Sequence, residues 1–242
     1  MLILFDIDGT LLRAGRLGRD AFRAALAGVY DYEGTIEDID MSGKTDNQIM
    51  DEIVARYRLH ERSGEAASIA KHADRRRDEF WEAYFAYMEN IPPDEIDGCV
   101  LPGIPRVLTR LTAEPSIVTA LLTGNLERGA WIKLRRFGID GFFGFGAFGS
   151  DDKDRTKLVD VAWRRAYENT GRKFNRNDTI IIGDSMRDIE CARANGCRVV
   201  AVATGRTGIG AGRDALREAS PDLLVDSFED PAPLWAYLGI KS

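Results

Sequence analysis

Histidine is scarce in this chain of 242 residues: only His60 and His72 occur. A multi-histidine metal centre is therefore poorly supported, and so is a hydrolytic triad built on an imidazole base. Cysteine is nearly as rare. Cys99, Cys191 and Cys197 have no metal-type pair spacing, and three thiols cannot all pair with one another. A reducing, intracellular setting is expected. Basic residues are not in excess. The formal net charge is −6, so the basic face of a general nucleic-acid binder is missing. No apolar run approaches the ~20 residues that cross a bilayer. No cationic stretch precedes a long apolar segment at the start, so no secretion signal is expected. Carboxylates remain as the source of chemistry.

What the chain does have is concentrated at its start, in MLILFDIDGTLL. Leu2 to Phe5 form an unbroken apolar run, which suits a strand buried on both faces. Asp6 and Asp8 follow, separated by Ile7, and Gly9 allows the chain to turn sharply. In open α/β sheets, ligands bind just beyond the carboxyl ends of strands. Two acids held there repel each other, by about 4 kcal/mol at ~4 Å and an effective dielectric of ~20. A hard cation such as Mg2+ removes the conflict, because it prefers carboxylate and carbonyl oxygen.

After Leu12 the periodicity becomes helical. Phe22, Leu26 and Val29/Tyr30 mark one helix. Thr45 and Gln48 have capping-box spacing ahead of a second, whose face carries Ile49, Ile53 and Tyr57. A third, from about Glu65 to Glu89, carries the aromatic stripe Phe80, Tyr84, Phe85, read as core packing. Arg75, Arg76 and Arg77 read as a solvated face. Pro92 and Pro93 end this region. Residues 14–98 are thus expected to be a helical insert, leaving 1–13 and 99–242 as the sheet-bearing part.

In that part strands and helices alternate. Leu101–Leu111 reads as a helix and Ile117–Leu122 as a buried strand ending in Thr123-Gly124-Asn125. A helix follows with Ala130, Leu134 and Phe137 on one side and Gly138 as its C-terminal cap. GFFGFGAFGS holds a short strand, and Lys153–Asn169 reads as helix. Thr179–Ile182 is a strand ending in Gly183-Asp184. Ser185 and Asp188 then have N-cap spacing, and Gly196 closes the helix they open. Val199–Val202 and Leu223–Val225 complete the set. The alternation predicts an α/β fold, a doubly wound (Rossmann-like) parallel sheet with an inserted α-helical cap domain.

The string DxDGTL at 6–11 resembles the first motif of the haloacid dehalogenase superfamily, in its phosphatase and phosphomutase branch. LLTGN at 121–125 is similar to the second motif, and IIIGDSMRD at 180–188 to the fourth, GDxxxD. The resemblance implies Asp6 as nucleophile and Asp8 as general acid/base. It implies that Thr123, with the neighbouring Gly124 and Asn125, holds phosphoryl oxygens. Asp6, the backbone carbonyl of Asp8, Asp184 and Asp188 are the implied Mg2+ ligands. The third motif requires one basic residue, and DDKDRTKL offers Lys153, Arg155 and Lys157. The string resembles a DRxxL variant, which favours Arg155. SGKTD at 42–46 resembles a cap loop facing the active site, which would bring Lys44 to the substrate.

The helical insert sits where the phosphoglycolate-phosphatase-like group of that superfamily carries its cap. The acid at position 8 departs from the true dehalogenases, which need not protonate an alkoxide. The resemblance therefore implies a cytoplasmic, Mg2+-dependent phosphatase acting through an aspartyl-phosphate. Its partner would be a small phosphorylated metabolite, not a nucleic acid or a membrane, and it would be a monomer or homodimer. A phosphomutase of the beta-phosphoglucomutase type shares the same residues. A binding relative without turnover is the reading from outside the enzymes.

Overall fold

The opening apolar run becomes β1 (Leu2–Phe5), in which all four residues are buried. The computed structural model describes residues 1–59, 69–205 and 212–241. β2 (Leu12–Arg13) and β3 (Cys99–Val100) form a short antiparallel ribbon, Leu12 opposite Val100. The remaining strands are β4 (Val118–Thr123), β5 (Gly146–Phe148), β6 (Thr179–Gly183), β7 (Arg198–Val202) and β8 (Leu223–Val225). With β1 they make one six-stranded sheet in the order β5-β4-β1-β6-β7-β8, every pair parallel. This is the doubly wound, Rossmann-like α/β arrangement. The chain leaves β1 towards β4 on one side and returns through β6 on the other. The switch point where such sheets bind ligands therefore lies beside β1.

Register brings the functional segments level. Phe5 is opposite Leu121 on one side and Ile182 on the other. Asp6, Thr123 and Asp184 therefore emerge together at the carboxyl edge.

Nine helices are described: α1 (Leu17–Tyr30), α2 (Asp46–Arg56), α3 (Ile69–Asn90), α4 (Ile104–Thr112), α5 (Glu127–Arg136), α6 (Leu158–Thr170), α7 (Met186–Ala194), α8 (Arg213–Glu218) and α9 (Ala232–Leu238). Alternate residues of each strand face opposite ways. Leu2, Leu4, Ala120, Leu122 and Ile181 pack with Leu158 and Ala162 of α6 and Ile189 of α7. Ile3, Phe5, Leu121 and Ile182 belong to the core of the other face, which includes Leu108 of α4 and Ala130 of α5. That second core continues without a break into α1, α2 and α3, through Phe22, Ile49 and Phe80. Both capping boxes expected from sequence form, Thr45 with Gln48 and Ser185 with Asp188. The aromatic stripe of α3 is core, with Phe80 and Tyr84 both packed on Phe22.

Two local expectations change, and part of a third lies outside the described residues. Residues 65–68 and His60 lie outside the described residues, and α3 is described from Ile69. The helix expected from Lys153 begins at Leu158, after a 3-10 turn over Arg155–Lys157. Asp154 caps that turn by accepting the Thr156 N–H at 2.9 Å, which holds the chain out of α geometry there. Arg77 is not merely solvated. It donates to Asp51 at 2.6 Å and to the Asn47 side chain at 2.8 Å, tying α3 to the start of α2.

Candidate active site

Asp6 extends the β1 ladder by one bond, its N–H donating to the Ile182 carbonyl at 2.9 Å. Its buried side chain lies 3.0 Å from the Arg155 guanidinium. Asp184 directly follows β6, and Asp188 stands in the first turn of α7. Oxygens of Asp6, Asp184 and Asp188 lie within 4.8 Å of one another, all three residues buried. Gly9 makes this convergence possible. It turns at φ +87°, and a Cβ there would lie 2.3 Å from Asp184 Oδ2. Thr10 then donates its hydroxyl to Asp184 Oδ1 at 3.0 Å.

Buried carboxylates this close resist full ionisation. Burial pushes the Asp6 carboxyl up to about 6, against the pull of Arg155 and with the help of Asp188 and Asp8. Burial, then Asp6 and Asp188, hold Asp184 well above the usual carboxylate range. Burial alone would lower the Arg155 pKa, but Asp188 and Asp6 more than offset it. Three acids against one guanidinium leave negative charge that a hard divalent cation would neutralise, and all the donors are oxygen. The residues present therefore fit Mg2+.

Asp8 belongs to a different environment. Its Oδ2 accepts from Lys133 Nζ at 2.6 Å and from Asn125 Nδ2 at 2.8 Å. Lys133 also donates to Asn125 Oδ1 at 2.6 Å. The Asp8 carboxylate is thus engaged apart from the cluster formed by Asp6, Asp184 and Asp188. Thr123 Oγ1 accepts both the N–H and the Nδ2 of Asn125, at 3.3 and 2.8 Å. Among the described residues its own proton has no acceptor, and the residue lines the cavity.

The cavity is about 210 Å3 and lies between the sheet edge and the inserted helices. Gly124 brings the two sides together. Its carbonyl accepts the Asp46 N–H at 2.8 Å, and a Cβ there would stand 2.2 Å from the Lys44 carbonyl oxygen. Asp46 is buried, and its Oδ2 accepts the Leu126 N–H at 2.8 Å. Burial raises its carboxyl to about 6, against the pull of Lys133 and the Leu126 N–H.

Of the residues expected from sequence, Asp6, Asp8, Thr123, Gly124, Asn125, Arg155 and Asp184 line this one cavity. Asp188 stands behind them, held by the N–H and hydroxyl of Ser185 at 3.0 and 2.6 Å and by Arg155. Among the three basic residues left open, Arg155 enters the site. Lys153 pairs with Asp51 at 2.6 Å and Lys157 with Asp152 at 3.4 Å, both exposed. Lys44 lines the cavity, but its ammonium is paired with Glu52.

A family model for haloacid dehalogenase-like hydrolases matches residues 1–196. The chain belongs to that family. Among curated proteins none matches it. Solved structures share its fold. A predicted phosphoglycolate phosphatase from Haemophilus somnus 129pt superposes with a TM-score of 0.68 at 21% identity, covering 96% of each chain. CbbY from Rhodobacter sphaeroides, in complex with phosphate, gives 0.67 at 21% identity and 96% of each chain. A predicted beta-phosphoglucomutase from Thermotoga maritima gives 0.59 at 20% identity, over 98% of this chain and 99% of its own.

Two residues in the site of this haloacid dehalogenase-like hydrolase escape the sequence reading. Lys133 carried a signal: it stands three residues after Ala130 and one before Leu134, on the apolar stripe of α5. A buried lysine on such a stripe demands a partner. Asp46 closes the SGKTD string expected to face the active site, but an acid in the first turn of a helix is also ordinary macrodipole chemistry. No helix among the described residues is long and apolar enough to cross a membrane.

Proposed function

We propose that the chain is a Mg2+-dependent phosphatase of small phosphate monoesters. The observation that carries this reading is the division of two acids in one turn between two environments. Asp6 sits with Asp184, Asp188 and Arg155, while Asp8, two residues on, is gripped by Lys133 and Asn125. A nucleophile and a proton carrier need such separate surroundings.

The Asp6 carboxylate attacks phosphorus, forming a new O–P bond as the P–O bond to the alcohol breaks. Asp8 gives its proton to the departing alkoxide. Water then attacks the aspartyl-phosphate, Asp8 takes a proton from it, and Asp6 leaves as carboxylate. Thr123 donates to a phosphoryl oxygen, and Arg155 offsets charge around Asp6. Asp6, Asp184, Asp188 and the Asp8 carbonyl would hold Mg2+, which would supply charge neutralisation for the phosphoryl oxygens.

Residues 14–98 serve as the cap that covers this chemistry and excludes bulk water. The contact at Gly124, Lys44 and Asp46 supports a closed arrangement. A reducing cytoplasm suits the three unpaired thiols.

The test is phosphate release from 4-nitrophenyl phosphate with and without Mg2+. Release only with the metal supports the reading. Equal inactivity under both conditions counts against it, and phosphoryl transfer between positions of a sugar without net release would make the chain a mutase instead.

A further inference from the structure

The side of the cavity contributed by the inserted helices is lined by Phe22, Met41, Ile49, Tyr84 and Asp46. The cations that line the cavity are already engaged. Lys44 is paired with Glu52. Arg19 donates to the carbonyls of Ile36 and Ile39, at 2.5 and 3.3 Å, and lies 3.7 Å from Glu37. Lys133 holds Asp8, and Arg155 holds Asp6 and Asp188. Arg13 is exposed, donates to the Thr204 carbonyl at 3.1 Å, and is screened by solvent.

Asp46 is different. One of its oxygens takes the Leu126 N–H; among the described residues the other has no hydrogen-bond partner. The Tyr84 hydroxyl, in a residue 1% exposed, also makes no hydrogen bond among the described residues. A second acid group on a substrate would meet this carboxylate without a free buried cation to balance it. A hydroxyl or ammonium would satisfy Asp46.

We propose that this side of the cavity selects phosphate esters whose alcohol has no second acid group and offers a hydrogen-bond donor to Asp46. The inference rests on the phosphatase reading. The donor is a hydroxyl, as in a polyol, or an ammonium, as in an amino alcohol. Selection works twice over, through the bond gained by the right substrate and the unpaired charge imposed on the wrong one.

The experiment compares kcat/KM for glycerol 3-phosphate, phosphoethanolamine and 2-phosphoglycolate, with 4-nitrophenyl phosphate as reference. One of the first two should exceed phosphoglycolate by about tenfold to a hundredfold, the range of one charge-assisted hydrogen bond. Whichever is faster identifies hydroxyl or ammonium as the donor. Asp46→Asn should cut the preference by about tenfold or more. Glu52→Gln, at a half-exposed site outside the cavity, frees the Lys44 ammonium. It should raise kcat/KM for phosphoglycolate relative to glycerol phosphate by about tenfold, and it keeps the test alive if the Asp46 variant does not fold. Phosphoglycolate hydrolysed as well as both donors by the wild type would overturn the inference while leaving the phosphatase reading intact. An undiminished preference in either variant would do the same. No release from any ester, the nitrophenyl reference included, would remove the phosphatase reading and this inference with it.

Discussion

Lys133 Nζ lies 2.6 Å from Asp8 Oδ2, and the same ammonium is fixed by Asn125 Oδ1 at 2.6 Å. The pair joins α5 to the turn after β1, and it decides where the Asp8 carboxylate points. Without it, repulsion from Asp6 would be the chief influence on Asp8, with Asn125 alone to hold it. Lys133→Met should therefore disturb the proton transfer step more than binding. On an alkyl phosphate, kcat should fall by about a hundredfold, the lower end of what general-acid catalysis contributes. On 4-nitrophenyl phosphate, a good leaving group, the first step should fall far less. Burst kinetics with both esters measure this, and an equal loss on both would refute the positioning role.

Asp6→Asn should abolish turnover, by more than about a thousandfold, because an amide cannot form the acyl phosphate. The fold should remain, since the Asp6 backbone bond to Ile182 does not involve the side chain. Circular dichroism together with phosphate release checks both halves. Near-normal activity in the variant would mean that another group attacks phosphorus.

Gly9→Ala tests the backbone beneath the acid cluster. A Cβ at Gly9 would sit 2.3 Å from Asp184 Oδ2, on a residue at φ +87°. The strain should cost about 1–3 kcal/mol of stability. Asp184 must also shift, so the Mg2+ concentration for half-maximal activity should rise. Chemical denaturation and metal titration report the two effects separately. A variant with unchanged metal dependence would show that Asp184 does not need its present position.

Most of the frame was legible because its signals are local. β1, β4 and β6 are short apolar runs that stop at Asp6, Thr123 and Asp184, and parallel pairing then lines up their ends without further information. Thr45 and Ser185 announced their helices through capping chemistry. Choosing Arg155 over Lys153 and Lys157 was different, because a 3-10 turn and not a helix decides which side chain points inwards. The burial of Asp46 was out of reach, since it depends on how the insert lies on Gly124. Lys133 was within reach, as a charge on an apolar stripe. It stands within the stripe formed by Ala130, Leu134 and Phe137.

The last prediction couples metal to pH. The folded-state carboxyl of Asp6 is raised from 3.8 to about 6, and Asp184 is raised well above the same value. Both groups hold protons more tightly in the folded chain than in the unfolded one. The unfolded chain then binds fewer protons, so metal-free stability falls as pH rises from about 4 through 6 and beyond. Asp46, also raised to about 6, adds to this trend but is not among the cluster's ligands. Mg2+ acts on the cluster alone. It competes with the protons on Asp6 and Asp184, so its binding should strengthen as pH rises. At about a hundredfold excess over Kd it should stabilise the protein by about 2.7 kcal/mol at neutral pH. The increment should shrink as pH falls through about 6, where Asp6 takes up its proton again. The measurement is the difference in melting temperature with and without Mg2+ at each pH, which cancels the Asp46 contribution. Asp184→Asn should remove most of that difference at every pH. A Mg2+ increment that stays constant from about pH 5 to 7.5, or that survives in Asp184→Asn, would place the cation elsewhere.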